Sequence, residues 1–172
     1  MKKHMKRMIA GASTAALMAV VASHMSQPVS AAVHTADLAV TANVAANCRV
    51  AAGTMAFGSY DSIGTHETTD LDAPGSFQVR CTRGGVATLS LDDGGHATAG
   101  TRRMEGTVGE FLNYNLYTTS GYTTVWNTTN TVTFGPTANS AFSTVDVYGR
   151  IPAGQDVRAN NYSDTVTITA NF

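Results

Sequence analysis

The residues of this 172-residue chain that could do chemistry fall in four places. His66 sits in a polar loop with Glu67, Asp70 and Asp72, and His96 follows the run Asp92-Asp93-Gly94-Gly95. Imidazole beside carboxylate is the usual equipment for proton transfer or for holding a metal ion. Neither loop is framed for that work, because the chain has no HExxH, no GxSxG and no glycine-rich phosphate loop. Asp92 and Asp93 lack the alternating oxygen-ligand spacing of a dedicated calcium loop. Both loops read as solvated turns. Trp126, with Tyr114, Tyr117 and Tyr122 nearby, could stack on a sugar ring; filling a β core or a groove is the preferred reading. Cys48 and Cys81 are the fourth place. No enzyme, no cofactor and no metal is expected from these residues.

The cysteines are read through the compartment. Lys2, Lys3, Lys6 and Arg7 precede a stretch from Met8 to Ala22 of mostly Ala, Met, Val and Ile, and small residues flank a cleavage point after Ala31 or Ala32. Residues 1–32 therefore read as a secretory signal peptide. The rival, a membrane anchor, is short and is interrupted by Ser13, Thr14, Ser23 and His24. Two cysteines in an exported chain favour one disulfide, the alternatives being buried free thiols or a metal site. Such a bridge would close a loop of roughly 33 residues and stabilise by about 3.5–4 kcal/mol in the chain-entropy model, less any strain.

Cleavage removes all three lysines and one arginine, leaving seven arginines against twelve acidic residues, a formal charge of −5. That balance excludes a basic nucleic-acid footprint and disfavours attraction to an anionic membrane.

The elements that must position these residues are strands. No segment after residue 33 offers an amphipathic helix of ten or more residues, and strand-like runs alternate with Gly, Thr, Asn and Ser turns. Ala36, Leu38, Val40, Ala42, Val44, Ala46 and Cys48 fall on every second position, a strand period sustained for twice the usual length. Phe77–Cys81, Val86–Leu91, Phe111–Tyr117, Phe142–Ile151 and Tyr162–Phe172 are expected as strands, with weaker ones at Thr123–Trp126 and Thr131–Phe134 and a short crossing segment at Met55–Tyr60. In Phe111–Tyr117 the face is Leu112, Tyr114 and Leu116; in the last run it is Val166, Ile168, Ala170 and Phe172. Short strands at this spacing predict one domain, residues 33–172, built as a sandwich of two antiparallel sheets. The count leaves a surplus strand at the N-terminus and a deficit after the last one.

In order and spacing these runs resemble the spore coat protein U (SCPU) domain and, through it, the pilin subunits of archaic chaperone–usher pili. The matching residues are VAANCRV at 44–50, MAFGSY at 55–60, FQVRCT at 77–82, LSLDDG at 89–94, RRM at 102–104, LNYNLY at 112–117, VW at 125–126, VYGRIPAGQDV at 147–157 and YSDTVTITANF at 162–172. Asn127 stands where a glycine often follows the tryptophan, and Asn160-Asn161 replaces a small-Gly pair; both tolerate turn conformations.

The resemblance implies an incomplete immunoglobulin-like β-sandwich that lacks its final strand and is completed by an N-terminal donor strand from a neighbouring subunit. It implies a donor segment over about 33–44 with Ala36, Leu38, Val40 and Ala42 as inserted side chains, while Val44 and Ala46 belong to the subunit's own first strand. The groove is then lined by Val166, Ile168, Ala170 and Phe172 of the last strand. The implied partners are a periplasmic pilus chaperone, an outer-membrane usher and neighbouring subunits in a head-to-tail polymer at the cell surface, supporting adhesion and biofilm formation. A spore or cell coat protein of the same fold is the alternative, and a surface carbohydrate-binding module a more distant one.

Overall fold

The computed structural model describes residues 30–172; the expected signal peptide falls almost wholly outside the described residues. Residues 30–41 form no regular element, and their apolar side chains stand in solvent, Leu38 at 87% and Val40 at 84% exposure.

From Ala42 onward the chain is all β apart from two single 3-10 turns, Thr65–Glu67 and Thr107–Gly109. Eight strands form: β1 (Cys48–Met55), β2 (Leu71–Cys81), β3 (Ala87–Leu91), β4 (Arg102–Glu105), β5 (Phe111–Tyr117), β6 (Val132–Phe134), β7 (Ser143–Ile151) and β8 (Ile168–Asn171). They make a five-stranded sheet in the order β1-β2-β7-β5-β4 and a three-stranded sheet in the order β6-β3-β8. Every ladder is antiparallel.

The two inner faces meet in one core. Phe77 and Val79 of β2, Leu112, Tyr114 and Leu116 of β5, and Val147 and Ile151 of β7 pack against Ala87, Leu89 and Leu91 of β3. Residues between them in sequence face outward, as the two-residue period of a strand requires. This is the predicted sandwich.

Several boundaries differ from expectation, each for a local reason. β2 starts at Leu71, six residues before the predicted Phe77. Pro74 and Gly75 hide its first half, but the β1 ladder ends at the Met55–Gly75 pair, so Pro74 has only β7 as a neighbour and costs the sheet little. β1 begins at Cys48, so Val44 and Ala46 lie outside the subunit's own first strand; they precede the first rung, and Val44 is exposed. Of Met55–Tyr60 only Met55 is in a strand. The predicted strand Thr123–Trp126 is a loop touching the sheet through one bridge, Val125 to Tyr117. β4 is a strand that the apolar alternation does not signal, since it opens on two arginines. The final run keeps its alternation from Tyr162, yet only Ile168–Asn171 pairs as a strand.

Candidate functional site

The site is an inter-sheet groove that the unequal sheets leave open. Five strands face three, and beside β8 the inner side of the larger sheet is only partly covered, with Met55 and Phe57 lying against Gly149 of β7. The gap is a cavity of about 410 Å³. Its floor is small: Gly53 and Gly75 carry no side chain there. At Gly53, within an irregularity of the β1–β2 ladder, an added Cβ would lie 2.2 Å from the Ser76 carbonyl oxygen. Phe77, Leu116 and Val147 complete the floor, and Val166 and Ile168 form the rim. A second space of about 650 Å³ under residues 55–62 and 157–162 shares Met55, Phe57, Met104 and Tyr162 with the first.

Among the described residues the rim is also an unpaired hydrogen-bonding edge. Thr167 turns its main chain toward β3: its N–H donates to Asp92 Oδ1 (2.8 Å) and its carbonyl accepts from the Asp92 N–H (3.0 Å). Main-chain groups alternate sides along an extended strand, so those of Val166, Ile168 and Ala170 point away from β3, into the gap. Their side chains are half-buried, those of Val166 and Ile168 on the cavity, while Phe172 is 61% exposed.

A polar cluster holds the start of this rim. Asp92 Oδ1 also accepts from the Gly94 N–H (3.0 Å), fixing the turn that the sequence signalled, with Gly94 at φ +82°. Burial pushes the Asp92 carboxyl up, but hydrogen bonds from Thr167 and Gly94 and the charge of Arg102 outweigh it and hold its pKa below the ordinary value. Asp164 Oδ2 accepts from the Tyr114 hydroxyl (2.7 Å), and burial with this bond raises the phenol well above its usual range. Sequence reasoning missed Arg102. It is 1% exposed, and its guanidinium donates to the carbonyls of Asp92 (Nε, 3.0 Å) and Trp126 (Nη2, 2.7 Å). Burial lowers its pKa, opposed by Tyr114 and the carboxylates of Asp93, Asp92 and Asp164.

The other candidate residues lie elsewhere and make contacts of their own. The Cys48 and Cys81 sulfurs are bonded, and the two residues face each other across β1 and β2. Trp126 is core: it is 1% exposed, tilts against Phe77 and donates from Nε1 to the Leu89 carbonyl (3.1 Å). Tyr117 and Tyr122 instead meet Tyr148 in an outward cluster under Arg150. His66 stacks on Tyr60, with Nδ1 3.0 Å from the Thr69 carbonyl, and His96 pairs with Glu105 at 3.3 Å. The structure thus places Val166 and Ile168 on the cavity, leaves Ala170 and Phe172 outside its lining, and separates the two histidines from it.

Comparison with known proteins bears on the same body. The family model described as Spore Coat Protein U domain matches residues 34–169. Protein U of Myxococcus xanthus is 32% identical over 158 residues, covering 84% of this chain and 88% of that protein. Among solved structures, the CsuC–CsuE chaperone–tip adhesion subunit pre-assembly complex from archaic chaperone–usher Csu pili of Acinetobacter baumannii is similar, with 21% identity and a TM-score of 0.47. The match covers 75% of this chain and 40% of that one.

Proposed function

This chain belongs to the Spore Coat Protein U domain family, and from that premise we propose that it is an exported structural subunit that polymerises head to tail by strand insertion. In this reading residues of about 33–44 of one copy fill the groove beside β8 of the next, after a periplasmic chaperone has occupied it and an outer-membrane usher has passed the subunit outward. The product is a surface pilus that supports adhesion and biofilm growth, without catalysis or cofactor.

One observation carries the reading: a three-stranded sheet opposite a five-stranded one, with a half-buried apolar rim at β8 that pairs on one side only among the described residues. Strand addition fits such an edge, since ladder bonds supply affinity and alternate side chains filling pockets supply register. Burying Leu38 and Val40 contributes roughly 1.5–3 kcal/mol each, and each edge hydrogen bond adds about 0.5–1.5 kcal/mol. Left open, the same edge invites aggregation, which is why a chaperone belongs to the scheme. Insertion of this kind is heterologous and does not close, so it builds a fibre.

The test is expression of the full chain beside its chaperone and usher, followed by denaturing gels run with and without heating. A multimer ladder that collapses to monomer on heating is the expected result. A lone monomer, equally soluble without a chaperone, would overturn the proposal. The family's description favours a second reading, a coat protein of the same fold; electron microscopy of shed surface material separates layers from fibres.

A further inference from the structure

The rim beside β8 changes character along its length. Tyr162, Asp164, Val166, Ile168 and Ala170 take the inward, half-buried positions, and only one of them carries a charge. Asp164 is tied in place: besides the Tyr114 hydroxyl on Oδ2, its Oδ1 accepts from the backbone N–H of Gly95 and of Thr165, both at 2.9 Å. One residue earlier the chain leaves for the other sheet, where Ser163 exchanges both main-chain bonds with Glu105 (2.9 and 3.0 Å). The 410 Å³ cavity touches residues 162–166 and Ile168 of this run but not Ala170. An inserted strand therefore meets an apolar stretch at Ile168 and Val166, then a polar stop at Asp164.

The inserted side chains have a matching profile, with Leu38 and Val40 flanked by the methyl groups of Ala36 and Ala42. Resting on the strand-insertion reading above, we propose that Asp164 sets the register of assembly. Residues 36–42 of a second copy lie antiparallel to β8 with Ala36 opposite Ala170, Leu38 opposite Ile168, Val40 opposite Val166 and Ala42 opposite Asp164. A slip of two residues one way presses Val40 onto the carboxylate and strips solvent from a charged group. The opposite slip moves Leu38 to Ala170, beyond the cavity, and leaves the space at Val166 to an alanine. A slip of one residue turns Asp37 and Thr41 inward. The antiparallel direction follows every ladder among the described residues, and antiparallel pairs are the more stable.

Cysteine pairs at outward-facing positions test both register and direction. In the full chain, expressed with chaperone and usher, Asp37→Cys is combined in turn with Thr169→Cys, Thr167→Cys, Asn171→Cys or Thr165→Cys, all at exposed positions. Only opposed residues come within disulfide reach, so the Thr169→Cys pair is expected to give about tenfold more heat-stable, reducible multimer than the others. Dominant linkage to Thr167→Cys or Asn171→Cys overturns the register, and to Thr165→Cys the direction. Thr41→Cys with Thr165→Cys repeats the test at the other end; no linkage in either set, while the heat-labile ladder persists, also overturns the proposal. Adding Asp164→Ala to the Asp37→Cys pairs is expected to spread linkage to Thr167→Cys, and unchanged linkage there removes Asp164 from its role. If the parent chain forms no ladder, strand insertion itself falls, a result distinct from all of these.

Discussion

β3 and β8 are neighbours in one sheet and carry the same alternation, yet they end in different states. In β3, Leu89 is fully buried and Leu91 nearly so; in β8, Ile168 and Ala170 stay half-exposed. The difference is company. β3 has β6 on one side and β8 on the other, whereas among the described residues β8 pairs with β3 alone. Alternation states which face a strand turns inward; it does not state whether that face is covered. An apolar period on an uncovered strand reports a surface that some other chain segment is suited to cover.

The sharpest way to break the contrast is to remove what would cover β8. Leu38→Asp with Val40→Asp is expected to abolish the heat-labile multimers while the monomer keeps its Cys48–Cys81 bond, read by non-reducing mass analysis; normal multimers from this variant would mean another segment fills the groove. Next in size is the disulfide between β1 and β2. Cys48→Ala with Cys81→Ala is expected to cost about 2–5 kcal/mol, seen as a lower yield of periplasmic subunit. Leu89→Ala should cost a comparable 2–5 kcal/mol or so, because it opens a cavity in the closed part of the core. Ile168→Ala in the unassembled subunit should cost only roughly 1 kcal/mol, since its side chain is half in water. Denaturant titration of both variants checks the gap, and in assembled material the Ile168→Ala cost should rise toward that of Leu89→Ala.

The smallest effect is that of acid. The folded pKa of Asp92 lies below its ordinary value, so its contribution is present above the unfolded carboxylate range, about pH 4, and is lost as pH falls through the folded value. Asp92→Asn should therefore be less stable than the parent near neutrality, with a shallower loss of stability below about pH 4 in a pH series of thermal melts.

Legibility in the sequence followed the same division. β5 was read to the residue, because Leu112, Tyr114 and Leu116 alternate with residues that tolerate water, and the β7 face of Val147 and Ile151 was equally clear. β4 was not read, because its first residue is a buried arginine. Charge normally marks a solvated surface, and only the carbonyls of Asp92 and Trp126, brought together by the fold, make Arg102 acceptable inside. The alternation of Val166 and Ile168 along the candidate groove was legible, but the shape of the groove was not. Its floor depends on Gly53 and Gly75, which a single sequence marks only as breaks in two strands.

The bond between Cys48 and Cys81 has a mechanical consequence. Cys48 is the first residue of β1, an edge strand held to β2 by a ladder running to the Met55–Gly75 pair. Tension arriving from the N-terminal side would load that ladder one rung at a time, as a zipper is opened. A covalent tie at the first rung diverts the load into Cys81, in a strand gripped by β1 on one side and β7 on the other. In a fibre pulled along its length, each subunit would then meet force at its best-anchored strand and not at its weakest edge.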